Sequence, residues 1–122
     1  MSKKILLIED DELLREIIEK KLVEEGYQVV SAINGIDGLK AVGEQKPDLV
    51  LLDIILPGMN GFDVLTKIKK DPSLKKIPVV ILSNLWQQED VNKGMELGAT
   101  DYLVKINFAS KEILDKIKSI LN

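Results

Sequence analysis

Five short runs rich in Val, Ile and Leu punctuate the chain: KKILLIE (3–9), YQVVSAI (27–33), DLVLLDI (48–54), IPVVILS (77–83) and DYLVK (101–105). Each is too short for an ordinary helix and reads as a strand. Between them lie longer stretches in which apolar residues recur at three- and four-residue spacing. Leu14, Ile17, Ile18 and Leu22 form the first such stripe, and Ile113, Leu114, Ile117, Ile120 and Leu121 the last. Turn residues fall at the junctions: Gly26 after the first helical stretch, Pro57-Gly58 after the third strand, Pro78 at the start of the fourth and Gly98 before the fifth. Ser110 suits the cap of the last helix. Alternating strands and helices with continuously apolar strands predict an α/β domain, a parallel sheet covered by helices on both faces. Short right-handed crossovers make it doubly wound, and ligands of such sheets bind beyond the carboxyl ends of the strands.

The 122 residues fit one domain, 1–122, that buries about two thirds of the surface its unfolded chain exposes. With 45% hydrophobic and 30% charged residues and a net charge of -3, the chain has no general attraction for nucleic acid or anionic lipid. Near the N-terminus, ILLI is only four residues long and runs straight into acids, unlike a signal peptide or membrane span. There is no cysteine and no histidine, which removes disulfides, thiolate metal sites, the usual zinc chemistry and any Ser-His or Cys-His nucleophile pair. Metal ligands must then be hard oxygens, suited to magnesium, calcium or manganese.

The carboxyl ends of the strands carry the candidate chemistry. Strand one runs into Glu9, Asp10, Asp11 and Glu12. Such acids also favour the first turn of a helix, and one of them can be its cap. Glu9, however, still belongs to the apolar run and should sit at the edge of the sheet. Strand three ends with Asp53, flanked by Val50, Leu51, Leu52 and Ile54, Ile55, Leu56. A buried aspartate can serve simply as a backbone cap, yet an unpaired one costs several kcal/mol. In the doubly wound order strands one and three are neighbours, so Glu9, Asp10 and Asp53 converge. Their mutual repulsion is relieved by a magnesium ion, which takes oxygen ligands at about 2.0–2.1 Å. Strands four and five end with Ser83 and Asn84 and with Lys105, residues unremarkable singly. Together a metal, an ammonium and a hydroxyl suit a phosphoryl group, with Asp53 placed as nucleophile.

These motifs resemble, over the full chain, the receiver domain of two-component response regulators. LLIEDDELLR is similar to that family's acidic strand-one motif, DLVLLDIILPGMNGFDVL to the segment around its phosphoacceptor, VVILSN to its hydroxyl-bearing fourth strand and GATDYLVK to its fifth strand with the lysine. The resemblance implies a flavodoxin-like fold, five strands in the order 2-1-3-4-5 with five helices, of the single-domain chemotaxis-regulator kind. It implies that Asp53 becomes an aspartyl phosphate, taking the group from a sensor histidine kinase or phosphotransfer protein. Magnesium, or manganese in its place, is expected on Glu9, Asp10, Asp53 and the backbone carbonyl of Ile55. Ser83, Lys105 and the backbone amide of Asn84 are expected on the phosphoryl oxygens. Tyr102 matches the family's switch aromatic, turning inward as Ser83 moves and repacking the face of the fourth helix, fifth strand and fifth helix for an output partner.

Two departures from the family pattern carry their own expectations. KINF places Ile106 after Lys105 where the family usually has proline, and Phe108 one place late, which predicts a trans Lys105-Ile106 bond and an altered loop. The second departure lies around Asn84, Leu85 and Trp86; Ile55 and Leu85, which flank the expected phosphoryl site and are both apolar, should hinder an attacking water and make autodephosphorylation slow. The chain is thus expected to be a cytoplasmic phosphorelay switch that catalyses its own phosphorylation and dephosphorylation, not a metabolic enzyme, with room for a phosphorylation-dependent homodimer. The alternative is a pseudo-receiver that binds partners without phosphorylation. A haloacid-dehalogenase-type phosphohydrolase fits less well because EDDEL does not supply DxDx[TV], and a flavin carrier because the acids would repel its phosphate.

Overall fold

In a computed structural model, residues 2–105 and 111–122 are described, Glu112 by its backbone alone. The elements alternate as the pattern predicts: β1 (Lys4–Ile8), α1 (Glu12–Glu24), β2 (Gln28–Ala32), α2 (Gly35–Gln45), β3 (Leu49–Leu52), α3 (Gly61–Lys70), β4 (Val79–Ser83), α4 (Gln88–Glu96), β5 (Asp101–Val104) and α5 (Lys111–Leu121). All strand pairs are parallel, in the order β2-β1-β3-β4-β5. The Ser110 cap, Phe108 and the Lys105-Ile106 bond lie outside the described residues.

Strand alternation sorts the core into two clusters. Ile5 and Leu7, Leu49 and Leu51, Val80 and Leu82 face α1 and α5, where Ile18, Leu22, Ile113, Ile117 and Leu121 meet them. Leu6 and Ile8, Val50 and Leu52, Val79 and Ile81 point to the other face, packed by Val42, Phe62, Leu65 and Ile68 from α2 and α3. β1, β3 and β4 are the inner strands, which is why residues 5–8, 49–52 and 79–82 are apolar without a break. Ile17, included in the first helical stripe by its spacing, is instead exposed, because Ile18 and Leu22 take the buried face and Leu14 is half covered. Gly26, Gly58 and Gly98, marked as turn residues, all adopt positive φ.

The strands are shorter than their apolar runs. Glu9 and Asp53 both fall just past the strand ends, yet the ladder still reaches them. The amide of Glu9 donates to the Ala32 carbonyl (3.0 Å) and that of Asp53 to the Ile8 carbonyl (3.1 Å). The last inter-strand bonds therefore fix the backbone that carries each carboxylate.

Candidate functional site

At the carboxyl rim of the inner strands, Glu9 and Asp53 are buried, 1% and 4% exposed, and Asp10 is exposed beside them. One carboxylate oxygen from each lies within 4.8 Å of the other two. Asp11, which the acidic run left as one of several possible caps, is the N-cap of α1 and accepts from the Leu14 amide (3.0 Å). The acids thus divide between two tasks: Asp11 and Glu12 begin the helix, while Glu9 and Asp10 face Asp53.

Lys105 reaches into this cluster from the end of β5. Its Nζ stands 2.6 Å from Asp53 Oδ2 and 2.7 Å from Glu9 Oε1. The remaining oxygens are held by backbone: Ile54 N–H donates to Asp53 Oδ1 (2.7 Å) and Asp11 N–H to Glu9 Oε2 (3.0 Å). Burial raises the pKa of Glu9, opposed by the hydrogen bonds from Lys105 and the Asp11 amide and reinforced by the charge of Asp53. For Lys105, burial works against the ammonium, but the hydrogen bonds to Asp53 and then Glu9 outweigh it and the pKa is raised. The cluster keeps its cation charged.

Two supporting residues were not legible as such. The Arg15 guanidinium donates to the Glu9 carbonyl (3.2 Å), and only its place one turn into the helix after an acidic run hints at that. Gly61 is the other. A Cβ there would collide with the Asp53 carbonyl and the Ile54 Cα, so α3 can start directly beneath Asp53 only if its first residue has no side chain. Its amide donates to the Ile54 carbonyl at 2.8 Å. The signal was the second glycine of PGMNG.

On the β4 side, Ser83 is fully buried and its Oγ accepts from the Leu85 amide (3.2 Å). The Tyr102 hydroxyl donates to the Leu85 carbonyl (2.5 Å). One residue of the β4–α4 loop is therefore held at both its amide and its carbonyl by the two expected switch residues. Burial raises the Tyr102 pKa, the Ser83 hydroxyl opposes this, and the charges of Asp90 and Asp53 add to it. Asn84 is exposed and lines a shallow cleft with Trp86, Val104 and Lys105, while Ile55 projects into solvent, 64% exposed.

Comparison with known proteins decides the family. The model of the response regulator receiver domain matches residues 5–118. The chain is a receiver domain. It is 44% identical over 101 residues to the transcriptional regulatory protein AfsQ1 of Streptomyces coelicolor, covering 83% of this chain and 44% of that protein. This receiver domain therefore spans less than half the length of that relative. Among solved structures, the BeF3-activated N-terminal receiver domain of Klebsiella pneumoniae RstA superposes with a TM-score of 0.89 at 29% identity, covering 98% of both chains. The Mn(2+)-bound form of response regulator Rcp1 does so with a TM-score of 0.79 at 30% identity, covering 98% of this chain and 89% of that one. Among the described residues no helix is long and apolar enough to cross a membrane.

The donor set fits the divalent cation that receiver domains bind at their acidic pocket. Three carboxylates converge and a single ammonium offsets only one of their charges. All the donors are oxygens, and neither cysteine nor histidine occurs in the chain.

Proposed function

We propose that Asp53 is the phosphoacceptor of this receiver domain and that the rim around it both promotes phosphoryl transfer and reads the result. The supporting observation is the buried Asp53 carboxylate, anchored through Oδ2 to Lys105 in a cluster of three carboxylates. An Asp53 oxygen attacks phosphorus of a phosphohistidine on a partner kinase or phosphotransfer protein. The O–P bond forms as the N–P bond breaks, and imidazole protonated on its other nitrogen leaves neutral with the bonding pair. No histidine occurs among these 122 residues, so the donor lies outside them. Small acyl phosphates can supply the same group.

Glu9, Asp10, Asp53 and the Ile55 carbonyl would hold magnesium, or manganese in its place, which when bound supplies positive charge opposite the phosphoryl oxygens. Lys105, kept protonated, moves from its carboxylate partners to a phosphoryl oxygen. The Asn84 amide and the Ser83 hydroxyl donate to the others. When Ser83 turns toward the phosphoryl group it releases the Leu85 amide, and Tyr102, already bonded to the Leu85 carbonyl, repacks with the loop against α4, β5 and α5. Ile55 and Leu85 offer no polar side chain to orient water, so the acyl phosphate hydrolyses slowly. The full set of acids, hydroxyl and lysine argues against a phosphorylation-independent module.

Acetyl phosphate with magnesium tests the assignment. Wild type incorporates label and Asp53→Asn does not. Label that persists in Asp53→Asn, or that survives removal of divalent cation, would overturn the nucleophile or the metal.

A further inference from the structure

Helix α4 is held to the domain in an unusual way. Gln87 makes no side-chain cap bond, and the one buried residue of the helix is Gly94. Glycine inside a helix is unfavourable because it loses the most backbone freedom, so its presence needs a packing reason. That reason lies directly beneath it. A Cβ built on Gly94 would stand 2.6 Å from Ile81 Cδ1 and 3.1 Å and 3.4 Å from Tyr102 Cδ2 and Cε2. The bare backbone of α4 rests on the edge of the tyrosine ring. The hydroxyl of the same ring bonds the Leu85 carbonyl in the loop that leads into α4. One side chain thus touches both the middle of the helix and its approach.

We propose that Gly94 is a positioning residue that seats Tyr102. The missing side chain lets α4 close on the ring, and the closed helix holds the hydroxyl on Leu85. A methyl group at position 94 has two neighbours to displace. If Ile81 yields, only core packing changes. If Tyr102 yields, its hydroxyl leaves the β4–α4 loop and the coupling to Ser83 weakens. That the seat matters for signalling rests on the phosphoacceptor reading above. The seat itself does not.

The experiment uses the whole chain labelled with 3-fluorotyrosine, whose two fluorine resonances, from Tyr27 and Tyr102, are assigned with Tyr102→Phe. Gly94→Ala is expected to shift the Tyr102 resonance and leave that of Tyr27 in place. The same shift is expected in an Ile81→Val background, where Cδ1 is gone and the fold is relieved of that clash. Beryllofluoride with magnesium then serves as the phosphoryl probe, its occupancy read from its own bound fluorine signal. Gly94→Ala should weaken its binding by ~5–10-fold, within the range of ordinary coupling between sites. The loss should vanish when Tyr102→Ala is already present, a dependence that a merely structural effect would not show. A Tyr102 resonance unmoved in both backgrounds, or an equal loss with and without the tyrosine, overturns the proposal. Failure of wild type to bind beryllofluoride would instead count against the phosphoacceptor reading, and the resonance without beryllofluoride would still decide the seat.

Discussion

Lys105 Nζ bridges Asp53 Oδ2 and Glu9 Oε1, at 2.6 Å and 2.7 Å, and is the positive charge that makes two buried carboxylates compatible with a folded rim. Replacing it by methionine keeps most of the stem and deletes the charge. Breaking a buried ion pair from one side costs ~3–5 kcal/mol because the partner charge is left uncompensated. Lys105→Met is expected to lose stability of that order in urea unfolding without divalent cation. Millimolar magnesium should restore part of it.

Asp10 is the exposed member of the acidic cluster, so its removal separates metal binding from folding. Asp10→Asn should leave the unfolding free energy within ~0.5 kcal/mol of wild type, as for other exposed positions. Magnesium affinity should fall by at least the ~10-fold that losing even an outer supporting group costs. Calorimetric titration with magnesium, and with manganese, measures both. Unchanged affinity would remove Asp10 from the ligand set.

Leu85→Gln and Ile55→Asn each place an amide beside the phosphoryl group. One new hydrogen bond to the attacking water, about 1 kcal/mol, corresponds to ~5-fold in rate. Loss of label from phosphorylated protein should accelerate by about that factor in either variant. A wild type that already hydrolyses quickly and gains nothing from either change would show that the apolar pair does not protect the bond.

Lys69 joins the end of α3 to the entry of β4. Its Nζ donates to the Lys75 carbonyl (3.0 Å) and the Ile77 carbonyl (2.8 Å), and among the described residues it has no carboxylate in ion-pair range. Burial alone lowers its pKa from 10.5, so between that lowered value and 10.5 the unfolded chain binds more protons than the folded one. Stability contributed at this site therefore rises with pH across that interval. Urea unfolding of wild type against Lys69→Met should show a difference growing with pH there, and flat below it. The opposite slope would mean that the carbonyls favour the ammonium more than burial penalises it.

How far the sequence reveals this domain depends on which residue is asked. The inner strands are legible because an apolar side chain is needed at every position when both faces are covered, and Leu49 to Leu52 satisfy that without exception. Asp53 is legible for the same reason, as a charge at the end of such a run. Ile17 is not, because a stripe at three- and four-residue spacing is wider than the face the sheet covers, and Ile18 with Leu22 already fill it. Gly61 and Gly94 are harder still. Their meaning lies in what another element places against them, the Asp53 carbonyl in one case and the Tyr102 ring in the other. Arg15 belongs to the same class, since its bond toward the site goes to a backbone carbonyl, while the side chain it pairs with is Glu19 on its own helix.

The double grip on Leu85 sets a tempo as well as a shape. Both contacts are made by hydroxyls on side chains, Ser83 at the amide and Tyr102 at the carbonyl, so letting go requires rotation about side-chain bonds and no breakage of a sheet ladder. Such rearrangements, even with a loop following, are complete within microseconds to milliseconds. A response built on this grip adds no delay of its own. On the phosphoacceptor reading proposed above, its onset would follow the arrival of the phosphoryl group, and its duration would be the lifetime of one acyl phosphate bond.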